Sequence, residues 1–157
     1  MGGRSGQSGG GGGIASISGG GGMSADAKAN LQTFANSILK KYGIKENVNI
    51  HFSDSGNKLA GHVVLSETPS KITKITINSN TKLSHKSLIA HELTHVKQIN
   101  NKQLYLKDKN IVFKGKNVMT IKDYKKTFGG KWNAEKDAKY KKLAWEKEAY
   151  KNEAKYN

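Results

Sequence analysis

The chain has 157 residues, no cysteine and a formal charge of +15. Without cysteine it can build neither a disulfide framework nor a thiolate metal site, so a transition-metal site would have to use His, Asp or Glu. No apolar run approaches the ~20 residues of a membrane span, and the N-terminal stretch lacks a secretory h-region of ~7–15 residues, so the expectation is a cytoplasmic protein with no membrane partner.

The chain carries 26 lysines and one arginine, Arg4, and residues 102–157 hold 16 lysines against 7 acidic residues. Arginine is the side chain that forks phosphate and reads guanine bidentately. A body without it is suited to a weak nucleic-acid contact through phosphate rather than to reading a base sequence, and the reading favoured here is a generic basic surface.

Residues 1–23 contain twelve of the 18 glycines and read as a disordered Gly/Ser-rich tail or linker, leaving residues 24–157 as one domain. Leu31, Phe34, Ala35, Ile38, Leu39 and Tyr42 then recur at helical spacing, with Ser24 placed to cap the start and Gly43 the end. Val48, Ile50 and Phe52 alternate with Asn49 and His51, the pattern of a half-buried strand, and residues 61–67 and 72–79 read as two more strands. Ser84 caps a second helix running to Asn100 or Asn101, with Leu83 and Leu88 spaced as a hydrophobic staple. Residues 104–121 read as a twisted ribbon turning at Lys114–Asn117, residues 123–132 as a loop broken at Gly129–Gly130, and residues 133–157 as one charged helix. Helix, strands, helix, ribbon, helix is an α+β order.

The second helix carries His91-Glu92-Leu93-Thr94-His95. Positions i and i+4 share a helix face, so the two imidazoles converge on one point and Glu92 lies beside them. Zinc accepts two imidazole nitrogens at ~2.0–2.1 Å and keeps room for a third ligand and a water, whose proton a nearby carboxylate can take. The apolar stripe Ile89, Leu93, Val96 marks the helix as buried, and two buried histidines beside a carboxylate need partners. Gln98 and Asn101 stand where the metzincin pattern needs Gly and His, which excludes that branch. His51, His62 and His85 all precede the motif, the first two as strand-face residues without a metal role and His85 as an exposed residue of the first helical turn. No histidine follows it, which leaves a downstream carboxylate as the third ligand.

With Glu146-Lys147-Glu148-Ala149 downstream, the sequence resembles the gluzincin branch of zinc metallopeptidases in its minimal, single-domain forms, and it looks like small metallopeptidase-like proteins of phages and bacteria. The resemblance spans roughly residues 25–157 and rests on two short motifs. It implies a zincin-like fold, Zn2+ held by His91, His95 and Glu146, Glu92 as catalytic general base, and a protein or peptide substrate paired along an edge strand, either 61–67 or 72–78. Glu148 is the competing ligand; it lies about 200° around the helix from Glu146, so only one of the two can face the metal. The larger members often place Asp where this chain has Tyr150. Glu153 is one substitute for orienting a histidine, and Tyr150 is a candidate donor to a tetrahedral oxyanion, with simple packing as its other role. The rival functional reading is a nucleic-acid-associated or phage structural or effector protein that keeps a metallopeptidase-like scaffold.

Overall fold

The computed structural model describes residues 12–54, 61–62 and 71–157. These form strand β1 (Ala15–Gly19), helix α1 (Ala25–Tyr42), strands β2 (Val48–Ser53), β3 (Gly61–His62) and β4 (Lys74–Asn78), helix α2 (His85–Asn100), strands β5 (Leu104–Lys107), β6 (Asn110–Phe113) and β7 (Lys116–Thr120), and helices α3 (Ile121–Phe128), α4 (Ala134–Lys141) and α5 (Ala144–Ala154). The architecture is mixed α+β, with a four-stranded sheet in the order β1-β2-β4-β3 and a three-stranded ribbon in the order β5-β6-β7.

In β2 the alternation is realised as expected: Val48, Ile50 and Phe52 are buried and the residues between them are half-buried. Ile75 and Ile77 of β4 continue this inner face, and β2 pairs with β4 in parallel. Leu31, Ala35, Ile38 and Leu39 of α1 and Leu88, Ile89, Leu93 and Val96 of α2 close the first core. Each such buried aliphatic side chain contributes ~1.5–3 kcal/mol. The α1 caps are also as expected, with Ser24 accepting from the Ala27 amide and Gly43 left-handed at φ 69°. Of the two segments put forward for pairing with a peptide, 72–78 supplies the strand Lys74–Asn78 inside the sheet, whereas Gly61–His62 lies at its margin; residues 63–67 fall outside the described residues.

Several expectations are corrected. The first 23 residues are not coil throughout: Ala15–Gly19 pairs in parallel with Val48–Phe52, while residues 1–11 fall outside the described residues. Glycine here permits close approach rather than slack. A Cβ on Gly13 would collide with the Glu46 carbonyl, and one on Gly19, itself at φ 71°, would collide with the Phe52 carbonyl. Side chains of α1 complete the strand: Asn36 Oδ1 accepts from the Ala15 amide at 2.7 Å and Gln32 Nε2 donates to the Ala15 carbonyl at 3.0 Å.

Residues 121–128, expected as the end of the ribbon and the start of a loop, are a helix, because Thr120 caps the Asp123 amide and Ile121, Tyr124 and Phe128 lie along one face against the ribbon. The expected single C-terminal helix is two. Leu143 leaves the helical region (ψ 137°) and buries its side chain with Leu104, Ile111, Phe113, Phe128 and Trp145 in a second core. Leu83 remains 55% exposed, so the proposed staple onto Leu88 is not buried. His85 is half-buried, its ring 5.0 Å from that of Phe52, rather than exposed.

Helix α2 is thus a shared wall. One side faces the sheet, the other packs along α5, and residues 87 to 96 are buried without interruption. Its C-terminal end is anchored by Asn100, which accepts from the Ile72 amide at 2.6 Å and donates to Glu46 Oε1 at 3.0 Å.

Candidate metal centre

His91 and His95 sit one turn apart on the face of α2 that meets α5, and Glu146 projects from the first turn of α5 between them. Ala149, fully buried and one turn after Glu146, lets the helices come close. Asn152 of α5 adds a stitch, donating to Thr94 Oγ1 at 3.0 Å.

The donor atoms converge. His91 Nε2 is 3.1 Å from Glu146 Oε1, His95 Nε2 is 3.1 Å from Glu146 Oε2, and the two Nε2 atoms are 3.3 Å apart. Ligands around a tetrahedral ion with bonds of ~2.0–2.1 Å stand ~3.3 Å from one another, so these separations are close to the edges of such a coordination shell. All three residues are at most 7% exposed. Among the described residues this is a group of His and carboxylate side chains that could hold a metal ion.

The outer nitrogens are also engaged. His95 Nδ1 lies 2.9 Å from Gln98 Oε1, which can only accept, so the ring proton sits on Nδ1. His91 Nδ1 lies 3.2 Å from Glu153 Oε1, an ion-pair distance, although the angle falls short of an aligned hydrogen bond. Once deprotonated, both rings would keep the lone pair on Nε2, facing the centre, as metal-ligating histidines do.

The electrostatics follow from these contacts. Burial alone would lower the His91 pKa, but Glu146, Glu153 and the field of Glu92 outweigh it and raise it to about 10. His95 is likewise raised against its burial, chiefly by Glu146. Burial would raise Glu146, yet the two imidazoles hold it at about 2. Glu92 is pushed upward by burial, partly opposed by His95 and His91, and its Oε2 is buried without a hydrogen-bond partner among the described residues.

Glu148 points away from the triad. Its Oε1 accepts from Gln98 Nε2 at 3.1 Å and its Oε2 pairs with Lys114 Nζ at 3.1 Å, so it is engaged rather than freely solvated. Tyr150 packs the edge of its ring on His91, with centroids 4.6 Å apart. The tyrosine hydroxyl that reaches the triad is that of Tyr140, which donates to Glu146 Oε2 at 3.0 Å and whose pKa is raised by burial and by the Glu146 charge. Its reach depends on the break between α4 and α5, which the continuous-helix reading hid. Gln98 was equally hidden, though its place three residues after His95 on a buried helix is a signal for such a contact. His51 lies at the sheet, its Nδ1 2.9 Å from Ser18 Oγ, and the His62 side chain falls outside the described residues.

The lysines are partly committed to the fold: Lys136 Nζ bonds the Lys131 carbonyl, and Lys139 and Lys141 pair with Glu135 and Asp137 one turn back on α4. No described helix is long and apolar enough to cross a membrane. In comparisons with known proteins, no family model, no curated protein and no solved structure matches this chain.

Proposed function

We propose that the chain is a zinc-dependent metallopeptidase of gluzincin type, with His91, His95 and Glu146 as ligands and Glu92 as general base. The observation that carries this reading is the convergence of the three donor atoms at separations of 3.1 to 3.3 Å inside a buried seam. The unpartnered Glu92 Oε2 beside them supports it, since a buried carboxylate oxygen without a donor is costly unless a ligand or water completes it.

A bound Zn2+ would supply Lewis acidity and lower the pKa of an adjacent water toward ~7. The chain's own residues do the rest. Glu92, its basicity raised by burial, takes a proton from the water as the water oxygen attacks a peptide carbonyl carbon. It then returns that proton to the departing amide nitrogen, so that the C–N bond breaks to give a carboxylic acid and an amine. Tyr140 holds Glu146 by its Oε2, and Glu153 and Gln98 hold the two imidazoles. The substrate class is a protein or peptide.

Metal analysis of the purified chain beside His95→Ala, Glu146→Gln and Glu148→Gln tests the ligand set. Near-stoichiometric zinc in wild type and Glu148→Gln, lost in the other two, is the expected result. Zinc that survives Glu146→Gln but not Glu148→Gln would overturn the assignment. Glu92→Gln is expected to keep its zinc and lose ~10²–10⁴-fold of peptidase activity on unfolded protein substrates. Equal activity of the variant and wild type removes Glu92 from the reaction.

A further inference from the structure

Gln98 is fully buried and makes a hydrogen bond with every polar atom of its side chain. Its Nε2 lies 3.1 Å from the Trp145 carbonyl and 3.1 Å from Glu148 Oε1. Both of those groups only accept, so the amide nitrogen must face them; turned over, the amide would set its oxygen against two acceptors. The oxygen is thereby forced toward His95, 2.9 Å from Nδ1. Because that oxygen also only accepts, the imidazole must carry its proton on Nδ1 and present Nε2 to the triad.

Glu148 is in turn fixed from the surface by Lys114, 3.1 Å from its Oε2. Lys114 occupies the ribbon turn at φ 50°, a left-handed conformation that hairpins normally give to Asn, Asp or Gly. A continuous path thus runs from the ribbon tip to the metal-facing side of α2.

We propose that Gln98 is the positioning residue for His95, and that the Lys114–Glu148 pair keeps its amide from turning over. The consequence for metal affinity rests on the metal reading above; the hydrogen-bond assignment does not.

The experiment uses the full chain, labelled with ¹⁵N, and two variants. Gln98→Leu keeps the bulk and removes the acceptor. Gln98→Glu combined with Glu148→Gln returns an acceptor to His95 and a donor to residue 98. In wild type stripped of metal, the His95 Nδ1–H should be visible by NMR and slow to exchange; in Gln98→Leu it should exchange with solvent. Zinc competition against a chromophoric chelator should show affinity ~10–100-fold weaker for Gln98→Leu, with the double variant binding at least ~5-fold more tightly than Gln98→Leu. A residue that only fills space predicts the opposite order, leucine being tolerated better than glutamate. The double variant carries the test if Gln98→Leu does not fold. A His95 ring protonated on Nε2 and bare at Nδ1, a Gln98→Leu affinity within ~2-fold of wild type, or a double variant binding no more tightly than Gln98→Leu overturns the proposal. A protected Nδ1–H in a chain that takes up no zinc supports the assignment while overturning the metal reading.

Discussion

Raising the pH should keep strengthening zinc binding well above the range in which histidines ordinarily titrate. In the metal-free chain, Glu146 draws protons onto the imidazoles it touches, and the His91 pKa lies at about 10 instead of 6.5. An ion entering the triad displaces those protons, so affinity rises about tenfold per pH unit for each proton still held. Two ordinary histidines would gain only ~4-fold between about pH 6.5 and 8.5, because each is already half deprotonated at the lower limit. Displacing the His91 proton alone predicts ~100-fold over that interval, and displacing the raised His95 proton as well steepens the rise further. Chelator competition across the interval measures the slope. Calorimetry in two buffers of different ionisation enthalpy counts the protons released, with at least one expected at about pH 8. A gain below ~10-fold, or fewer than about half a proton released, would refute the coupling between Glu146 and the imidazoles.

The same shifts act on the stability of the metal-stripped chain. His91 has a raised folded pKa, so its contribution is complete below 6.5 and is lost as pH rises through about 10. Glu146 is depressed, so its contribution is present above 4.5 and lost as pH falls through about 2. Urea midpoints should therefore fall toward both extremes in the stripped chain, and loading with zinc should remove the alkaline fall. A midpoint that does not move between about pH 7 and 9 would show that the imidazoles are not held this way. Ala149→Leu should cost ~1–3 kcal/mol by overpacking the fully buried contact and weaken zinc binding by forcing α5 outward; a urea melt and a zinc titration that both match wild type would contradict the close approach. Gly19→Ala should cost ~1–3 kcal/mol, read as a lower urea midpoint with little change in slope, because it adds a Cβ at φ 71° against the Phe52 carbonyl. No loss would mean that Ala15–Gly19 adds nothing to the sheet's stability.

What the sequence made legible was whatever a local pattern could encode. The alternation Val48, Ile50, Phe52 marks β2, Ser24 and Gly43 delimit α1, and the i, i+4 spacing puts His91 and His95 on one face. Helical phase also separated Glu146 from Glu148 correctly in direction. Phase alone, however, does not tell what Glu148 holds; its Gln98 and Lys114 contacts come from elements 50 and 34 residues away. Composition misled at Gly13 and Gly19, because the same residue that makes a linker slack also lets two backbones touch. The helix break at Leu143 escaped detection because no Gly or Pro signals it; burial of one leucine in the second core outweighs continuing a charged helix. Tyr140 was lost with it.

The seam between α2 and α5 has a thermodynamic corollary. The histidines belong to a helix whose apolar side is sealed by the sheet, and Glu146 belongs to one whose neighbours Leu143 and Trp145 are sealed by the ribbon. An ion in the triad would therefore act as a rivet between two bodies that each bury their own small core. Its binding energy would be spent on their cooperativity, so that the sheet and the ribbon would come apart together or not at all.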